Sequence, residues 1–84
     1  MKSYFVTFRS ITFAQKGENV LRGAGIHCVL QRTPRWMEEQ GCGYCLRLSA
    51  DHIISALELL RQRQVVYRKV YLRMASGDME EVQL

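Results

Sequence analysis

The order of strand-like and helix-like segments constrains the fold of this chain more than any other feature. Residues 4–9 are aromatic and β-branched and alternate between two faces, which predicts a strand. An amphipathic helical segment follows, and then residues 26–30 and 44–48 predict two more strands. A second helical segment precedes residues 65–72, which are again β-branched and aromatic. The predicted order is therefore βαββαβ.

Both helical segments carry apolar residues at helical spacing. The first presents Phe13, Gly17, Val20, Leu21 and Ala24 on one face. The second presents Ile53, Ala56, Leu57 and Leu60 on one face. Ser10 and Thr12 are the candidate N-caps of the first helix, because a side-chain oxygen there can accept a hydrogen bond from a free backbone N–H.

Right-handed crossovers would place both helices on one face of a four-stranded antiparallel sheet, giving an α+β, ferredoxin-like sandwich. We expect residues 1–73 to form this single domain and residues 74–84 to form an acidic, mobile C-terminal tail. The other sheet face would carry residues from Phe5, Thr7, Val29, Cys45, Arg47 and Tyr71. Since so apolar a face favours self-association, we expect a dimer or another homo-oligomer.

Length and composition fit one small globular domain of 84 residues, 48% hydrophobic and 24% charged. No apolar run approaches the roughly 20 residues that span a bilayer, so no membrane is expected. The N-terminus lacks the apolar core of a signal peptide. Three cysteines, an odd number, argue against a secreted disulfide framework. These features predict a cytoplasmic protein.

The charge of the chain is unevenly distributed. The formal net charge is +4, but residues 1–73 carry twelve basic and five acidic side chains, whereas residues 74–84 carry three acids and no base. A basic body attracts nucleic acid or small anions, although it also serves solubility. The strand at residues 44–48 has one aromatic residue, Tyr44, on the core-facing parity, so it is a poor platform for stacking RNA bases. Nucleic acid is therefore not the expected partner.

Cys42 is the candidate reactive residue. It lies between Gly41 and Gly43, which leave the neighbouring backbone uncovered by side chains. Arg35 and Arg47 are close in sequence, and positive charge favours the reactive thiolate. Such a thiol can carry sulfur or selenium, exchange disulfides or bind a metal.

The preceding loop adds a second group of candidate binding residues. Pro34 stiffens the loop, Arg35 offers a fork of donors for an anion, and Trp36 can cover a ligand, a partner surface or the edge of the core. Glu38 and Glu39 are adjacent, which suits a solvated pair better than a catalytic dyad. We therefore expect no enzymatic acid–base chemistry and no cofactor.

Two cysteine motifs have alternative interpretations. Cys42 and Cys45 form a CxxC motif, but strand residues three apart point to opposite faces, so a dithiol switch would need Cys42 to fold back. His27 and Cys28 with these two cysteines could form a zinc site, yet neighbouring strand residues diverge. We expect no metal site and an ordinary, partly buried Cys45.

Two short motifs resemble a selenium/sulfur carrier-like family of short bacterial proteins. They are Thr-Pro-Arg at residues 33–35 and Cys-Gly-Tyr-Cys-Leu-Arg at residues 42–47. The resemblance extends over about residues 4–72 and includes the Ala-Gly-Ile step at residues 24–26. It implies that Cys42 holds the transferred atom and that Arg35 and Arg47 are the two motif arginines.

The leading hypothesis is therefore a non-catalytic carrier. Cys42 would accept a persulfide or selenium adduct from a donor enzyme and pass it to an acceptor protein, with Arg35, Arg47, Gly41, Gly43 and Pro34 in support. The alternative is a small binding or regulatory module that uses its basic body and open sheet face to hold nucleic acid or a protein. We also expect Cys42 to be more exposed than Cys28, whose parity places it on the helix-covered face.

Overall fold

The structure, a computed structural model, describes residues 2–33 and 43–84. Its elements are β1 (Ser3–Phe8), α1 (Ile11–Gly23), β2 (Cys28–Arg32), β3 (Tyr44–Ser49), a 3₁₀ turn (Ala50–His52), α2 (Ile53–Gln62), β4 (Val70–Arg73) and β5 (Met79–Val82). All strand pairs are antiparallel, and the strands lie in the order β2-β3-β1-β4-β5. The α+β class and the βαββαβ order of the first six helices and strands are confirmed.

The prediction of a four-stranded sheet was wrong, because the acidic C-terminal segment contains β5. Gly77 adopts a positive φ of 95°, and the Met74 N–H donates to the Asp78 carbonyl at 2.8 Å, so the chain turns back after β4. Glu80 and Glu81 have low strand propensity, and this concealed β5 in the sequence. The ferredoxin-like assignment and the mobility of residues 74–84 stay predictions.

Two strands begin later than predicted, because each preceding helix ends in the same hydrogen-bonded turn. After α1, the Ile26 N–H donates to Leu21 O at 2.9 Å, and Gly25 adopts a φ of 80°. After α2, the Val65 N–H donates to Leu60 O at 2.9 Å. These are Schellman-type ends, which need a left-handed residue. In the second turn that residue is Gln64, with φ 59°, so no glycine marked the boundary.

The main core fills the space between both helices and one face of the sheet. The sheet contributes Val6, Phe8, Cys28, Leu46, Leu48 and Val70, and the helices contribute Ala14, Leu21, Ile53, Ala56, Leu57 and Leu60. The predicted stripe of α2 is thus confirmed. Of the two candidate caps of α1, Ser10 is the one that caps the helix, accepting from Phe13 N at 3.4 Å.

The opposite face of the sheet, called the open face here, carries the residues that the strand parity predicted. Phe5 lies opposite Arg47 on β3 and Tyr71 on β4, and Thr7 lies opposite Cys45. Phe5 is only 4% exposed and Cys45 is fully buried; together with Met79 of β5 and Tyr71 they form a second, small cluster. Strand β5 therefore widens the sheet by one edge strand, and its Met79 side chain covers part of the apolar cluster on this face.

No helix among the described residues is both long enough and apolar enough to cross a bilayer.

Candidate functional site

The β2–β3 hairpin leads to the segment that contains the predicted thiol. Arg32 pairs with Tyr44, and beyond them the Thr33 N–H donates to the Gly43 carbonyl at 3.0 Å. Strand-like pairing therefore continues to the last described residue on each side, and Gly43 is buried. The predictions for Pro34, Arg35, Trp36, Gly41 and Cys42 fall on residues 34–42, which lie outside the described residues.

Cys28 is a core residue on the helix-covered face, as its parity predicted. It is fully buried, and the Arg22 guanidinium donates to its backbone carbonyl at 3.1 Å. Burial raises the pKa of the Cys28 thiol, and the nearby Arg22 only partly opposes that effect. Because the thiolate is the nucleophilic form, Cys28 is poorly suited to sulfur chemistry.

Cys45 is also fully buried, but on the open face beside Phe5. Burial raises the pKa of its thiol, and the Thr33 hydroxyl and Arg47 only partly offset this. Thr33 Oγ1 is itself buried and lacks the geometry of a hydrogen bond to any described residue. It therefore lowers the pKa of the Cys45 thiol only weakly. Cys45 therefore behaves as a small apolar residue, more deeply buried than the sequence indicated.

The sheet separates the thiols that the zinc hypothesis would bring together. Cys28 belongs to the cluster under the helices, whereas Cys45 belongs to the cluster on the open face. A zinc ion bound by sulfur needs Zn–S distances of about 2.3 Å, and two thiols on opposite faces of one sheet cannot both meet it. No group of three His, Cys, Asp or Glu side chains within residues 2–33 and 43–84 is arranged to hold a metal ion.

Arg47 lies away from the hairpin end that leads to Cys42. It is exposed on the open face, four residues after Gly43 on β3. With about 3.3 Å of rise per residue, its Cα is roughly 13 Å from that of Gly43. Its side chain lines a cleft at the opposite end of β3.

This cleft, called the basic cleft here, has a volume of about 570 Å³. It is lined by Lys2, Ser3, His27, Val29, Arg47, Leu48, Ser49, Ala50 and Asp51. Of these residues, the sequence singled out only Arg47, as a carrier residue, and His27, as a possible zinc ligand. The lining residues come from three separate parts of the chain, so no motif spacing joins them. The strand register brings them together, since Ser3 lies opposite Ser49 and Val29 lies opposite Arg47.

The sequence relationships of the chain place it in one family. Searches of the curated proteins and of the solved structures found no match. A family model described as "Putative Se/S carrier protein-like" matches residues 3–72. That match covers 70 of the 84 residues, from the start of β1 to the third residue of β4, and it includes the Cys42 motif. The chain therefore belongs to the Se/S carrier protein-like family.

Proposed function

We propose that this protein is a sulfur or selenium carrier whose cargo is held on the Cys42 thiol. Membership of the Se/S carrier protein-like family supports the carrier class. In this role the protein transfers an atom between a donor enzyme and an acceptor protein, and catalyses no reaction of its own. Such a role suits the cytoplasm, where thiols are kept reduced.

The observation that carries the choice of thiol is the burial of the other two cysteines. Cys28 and Cys45 are both fully buried, and burial raises the pKa of each thiol. Neither sulfur can meet a partner protein without unfolding part of the sheet. The chain has three cysteines, which leaves Cys42 as the candidate carrier.

The proposed transfer is a thiolate displacement on a persulfide. The Cys42 thiolate attacks the outer, sulfane sulfur of a cysteine persulfide on the donor enzyme. A new S–S bond forms at Cys42 Sγ, the S–S bond of the donor breaks, and the donor cysteine leaves as a thiolate. No external oxidant or reductant is required. An acceptor thiolate then attacks the Cys42 persulfide in the same way, and selenium would follow an equivalent route.

The residues around Cys42 would contribute unequally to this chemistry. Arg35, which follows Pro34 in the sequence, is proposed as the main cationic partner of the thiolate, and Gly41 and Gly43 flank Cys42 in the sequence. Arg47 is the second motif arginine, but it lines the basic cleft. We therefore expect Arg47 to affect the Cys42 pKa weakly.

Intact-mass measurement tests the proposal directly. The reduced protein is incubated with a cysteine desulfurase and either cysteine or selenocysteine, and its mass is recorded. We expect one added sulfur or selenium on the wild type and on Cys28→Ala and Cys45→Ala, and none on Cys42→Ser. An adduct that persists in Cys42→Ser would assign the cargo to another residue. Absence of any adduct on the wild type would remove the carrier function and favour the binding-module alternative.

Alkylation of the folded protein provides an independent check on the thiol assignment. Brief treatment with iodoacetamide and peptide mapping should label Cys42 and leave Cys28 and Cys45 unmodified, because their sulfurs are buried. After denaturation all three should react. Equal labelling of Cys28 and Cys42 in the folded protein would contradict the assignment.

A further inference from the structure

The basic cleft gathers the side chains of a lysine, a histidine and an arginine from three parts of the chain. Lys2 precedes β1, His27 precedes β2, and Arg47 lies within β3. All three residues are exposed, and none of them forms an ion pair with another residue within 2–33 and 43–84. Among the described residues the charges of Lys2 and Arg47 are therefore unpaired, in contrast to those of Lys69 and Arg22, which pair with glutamates.

The floor of the cleft is apolar and shaped by the sheet. Val29 and Phe5 flank Arg47 in one cross-strand row of the open face, so the aliphatic part of the arginine has apolar neighbours on both sides. Val29 and Ala50 are the apolar residues of the lining whose side chains lie outside the main core. A guanidinium supported in this way is better oriented than one on a free side chain, which lowers the entropy lost when it binds.

Polar groups complete the other side of the cleft. The Ser49 hydroxyl accepts a hydrogen bond from the Asp51 N–H at 3.1 Å, and this holds its oxygen in place while its proton stays free to donate. The Ser3 hydroxyl lies in the register position opposite Ser49. Asp51 contributes the one carboxylate of the lining, which can accept a donor group but would repel a second anionic group.

We propose that the basic cleft binds a small organic molecule that carries an oxyanion at one end and a hydrogen-bond donor at the other. Arg47 and Lys2 would hold the oxyanion, with the two serine hydroxyls as further donors, because guanidinium and ammonium groups match phosphate and carboxylate oxygens. Asp51 would accept from an amino or hydroxyl group of the ligand. The volume of about 570 Å³ lies in the range typical of small-molecule sites.

The described lining of this site lies at the end of β3 away from Gly43. Gly43, the residue after Cys42 in the sequence, immediately precedes β3, while the cleft lies at the other end of that strand. The inference therefore rests on the cleft alone. Cys42→Ser should bind the ligand as the wild type does, so a failed carrier assay leaves this proposal standing, and a failed binding assay leaves the carrier proposal standing.

Backbone NMR titrations test the cleft with four defined probes: ethyl phosphate, 2-aminoethyl phosphate, propionate and 3-aminopropionate. We expect saturable shifts of the amides of Ser3, His27, Arg47 and Ser49 with at least one class of oxyanion. The phosphate and carboxylate arms identify the oxyanion. Within each arm, the amino compound should bind more tightly, and Asp51→Asn should remove that preference while strengthening binding of the simple anion.

Arg47→Gln should weaken binding of the preferred probe about tenfold or more, since it removes a charged hydrogen-bond partner. The matched control is Arg63→Gln, which removes the same charge from the end of α2, in the helix layer. It should leave affinity nearly unchanged. Equal losses in both variants, shifts that never saturate, or saturable binding by an oligonucleotide but by none of the four probes would each overturn the proposal.

Discussion

At the scale of single residues, Cys28 and Cys45 are both buried, although they lie on opposite faces of the sheet. Cys28 packs under the two helices, and Cys45 packs with Phe5, Tyr71 and Met79 on the open face. Both are fully buried, and burial raises the pKa of both thiols. Each thiol therefore stays protonated in the folded protein over a wider pH range than in the unfolded chain.

This difference predicts a loss of stability at alkaline pH. Below the ordinary thiol pKa of 9.0, the two thiols are protonated in both the folded and the unfolded protein, so they do not make the free energy of unfolding depend on pH. Above that pKa, the unfolded chain loses the protons while the folded protein keeps them. The free energy of unfolding then falls as pH rises, by up to about 1.4 kcal/mol per pH unit for each thiol, until the raised folded pKa is passed.

Urea unfolding from about pH 8 to about pH 10 measures this effect. The double variant Cys28→Ala/Cys45→Ala should be less stable at neutral pH because it loses buried volume, but its stability should fall less steeply above the thiol pKa. Other groups titrate equally in both proteins, so the difference between the two slopes isolates the cysteines. Parallel slopes would show that these thiols titrate alike in the folded and unfolded states.

At the scale of elements, α1 packs against the sheet through a glycine. Gly17 is buried, and a Cβ built at this position would lie 3.0 Å from Phe8 Cζ and 3.2 Å from Leu46 Cδ1. Phe8 and Leu46 are themselves fully buried, so neither has room to move away. The low helix propensity of glycine is thus offset by the close approach of α1 to β1 and β3.

Replacing Gly17 by alanine should destabilise the fold despite the better helix propensity of alanine. Overpacking costs about 1–3 kcal/mol, and the propensity gain is about 1 kcal/mol, so we expect a net loss of roughly 1 kcal/mol. Gly23→Ala is the matched control in the same helix, because the added Cβ has no described atom within 4 Å beyond its chain neighbours and the backbone of its own helix. It should stabilise slightly. If urea unfolding shows both variants to be stabilised, the close approach of α1 is not limiting.

At the scale of the whole molecule, β5 joins the acidic end of the chain to the basic body. Val82 pairs with Val70 and packs against the main core, while Met79 packs in the open-face cluster. Glu81 and Lys69 form an ion pair at 3.7 Å. The C-terminal strand thus contributes a side chain to the packing on each face of the sheet. Strand β5 covers part of the apolar surface of the open face. Self-association through the rest of that face stays a prediction.

A chain shortened to end at Met74 tests how far the domain depends on β5. It should still fold, because the main core and the other four strands remain, but it should be about 1–3 kcal/mol less stable through the loss of the contacts of Met79 and Val82. Chemical denaturation measures the change. The full-length variant Met79→Ala/Val82→Ala separates side-chain packing from strand pairing. If the shortened chain has the same free energy of unfolding as the full chain, residues 75–84 do not contribute to the stability of the domain.

Local sequence patterns predicted much of the fold, but they predicted only part of the functional region. Strand parity placed Cys28 in the core and Phe5 with Cys45 on the open face, and helical spacing identified the stripe of α2. The motif around Cys42 led to the family. Both strands that follow a helix were placed too early, because a hydrogen-bonded turn ends each helix first. After α2 the left-handed residue of this turn is Gln64, so no glycine marks it.

The sequence by itself determined which face the residues of the first four strands occupy and where the helices lie, because both depend on periods of two and 3.6 residues along the chain. Only the tertiary structure decided the fifth strand, the full burial of Cys45 and the basic cleft. Strand β5 depends on β4 as its partner more than on its own residues, and Cys45 is covered by Phe5 from another strand. The cleft unites Lys2, His27 and Arg47, which are distant in sequence, so no local pattern could reveal it.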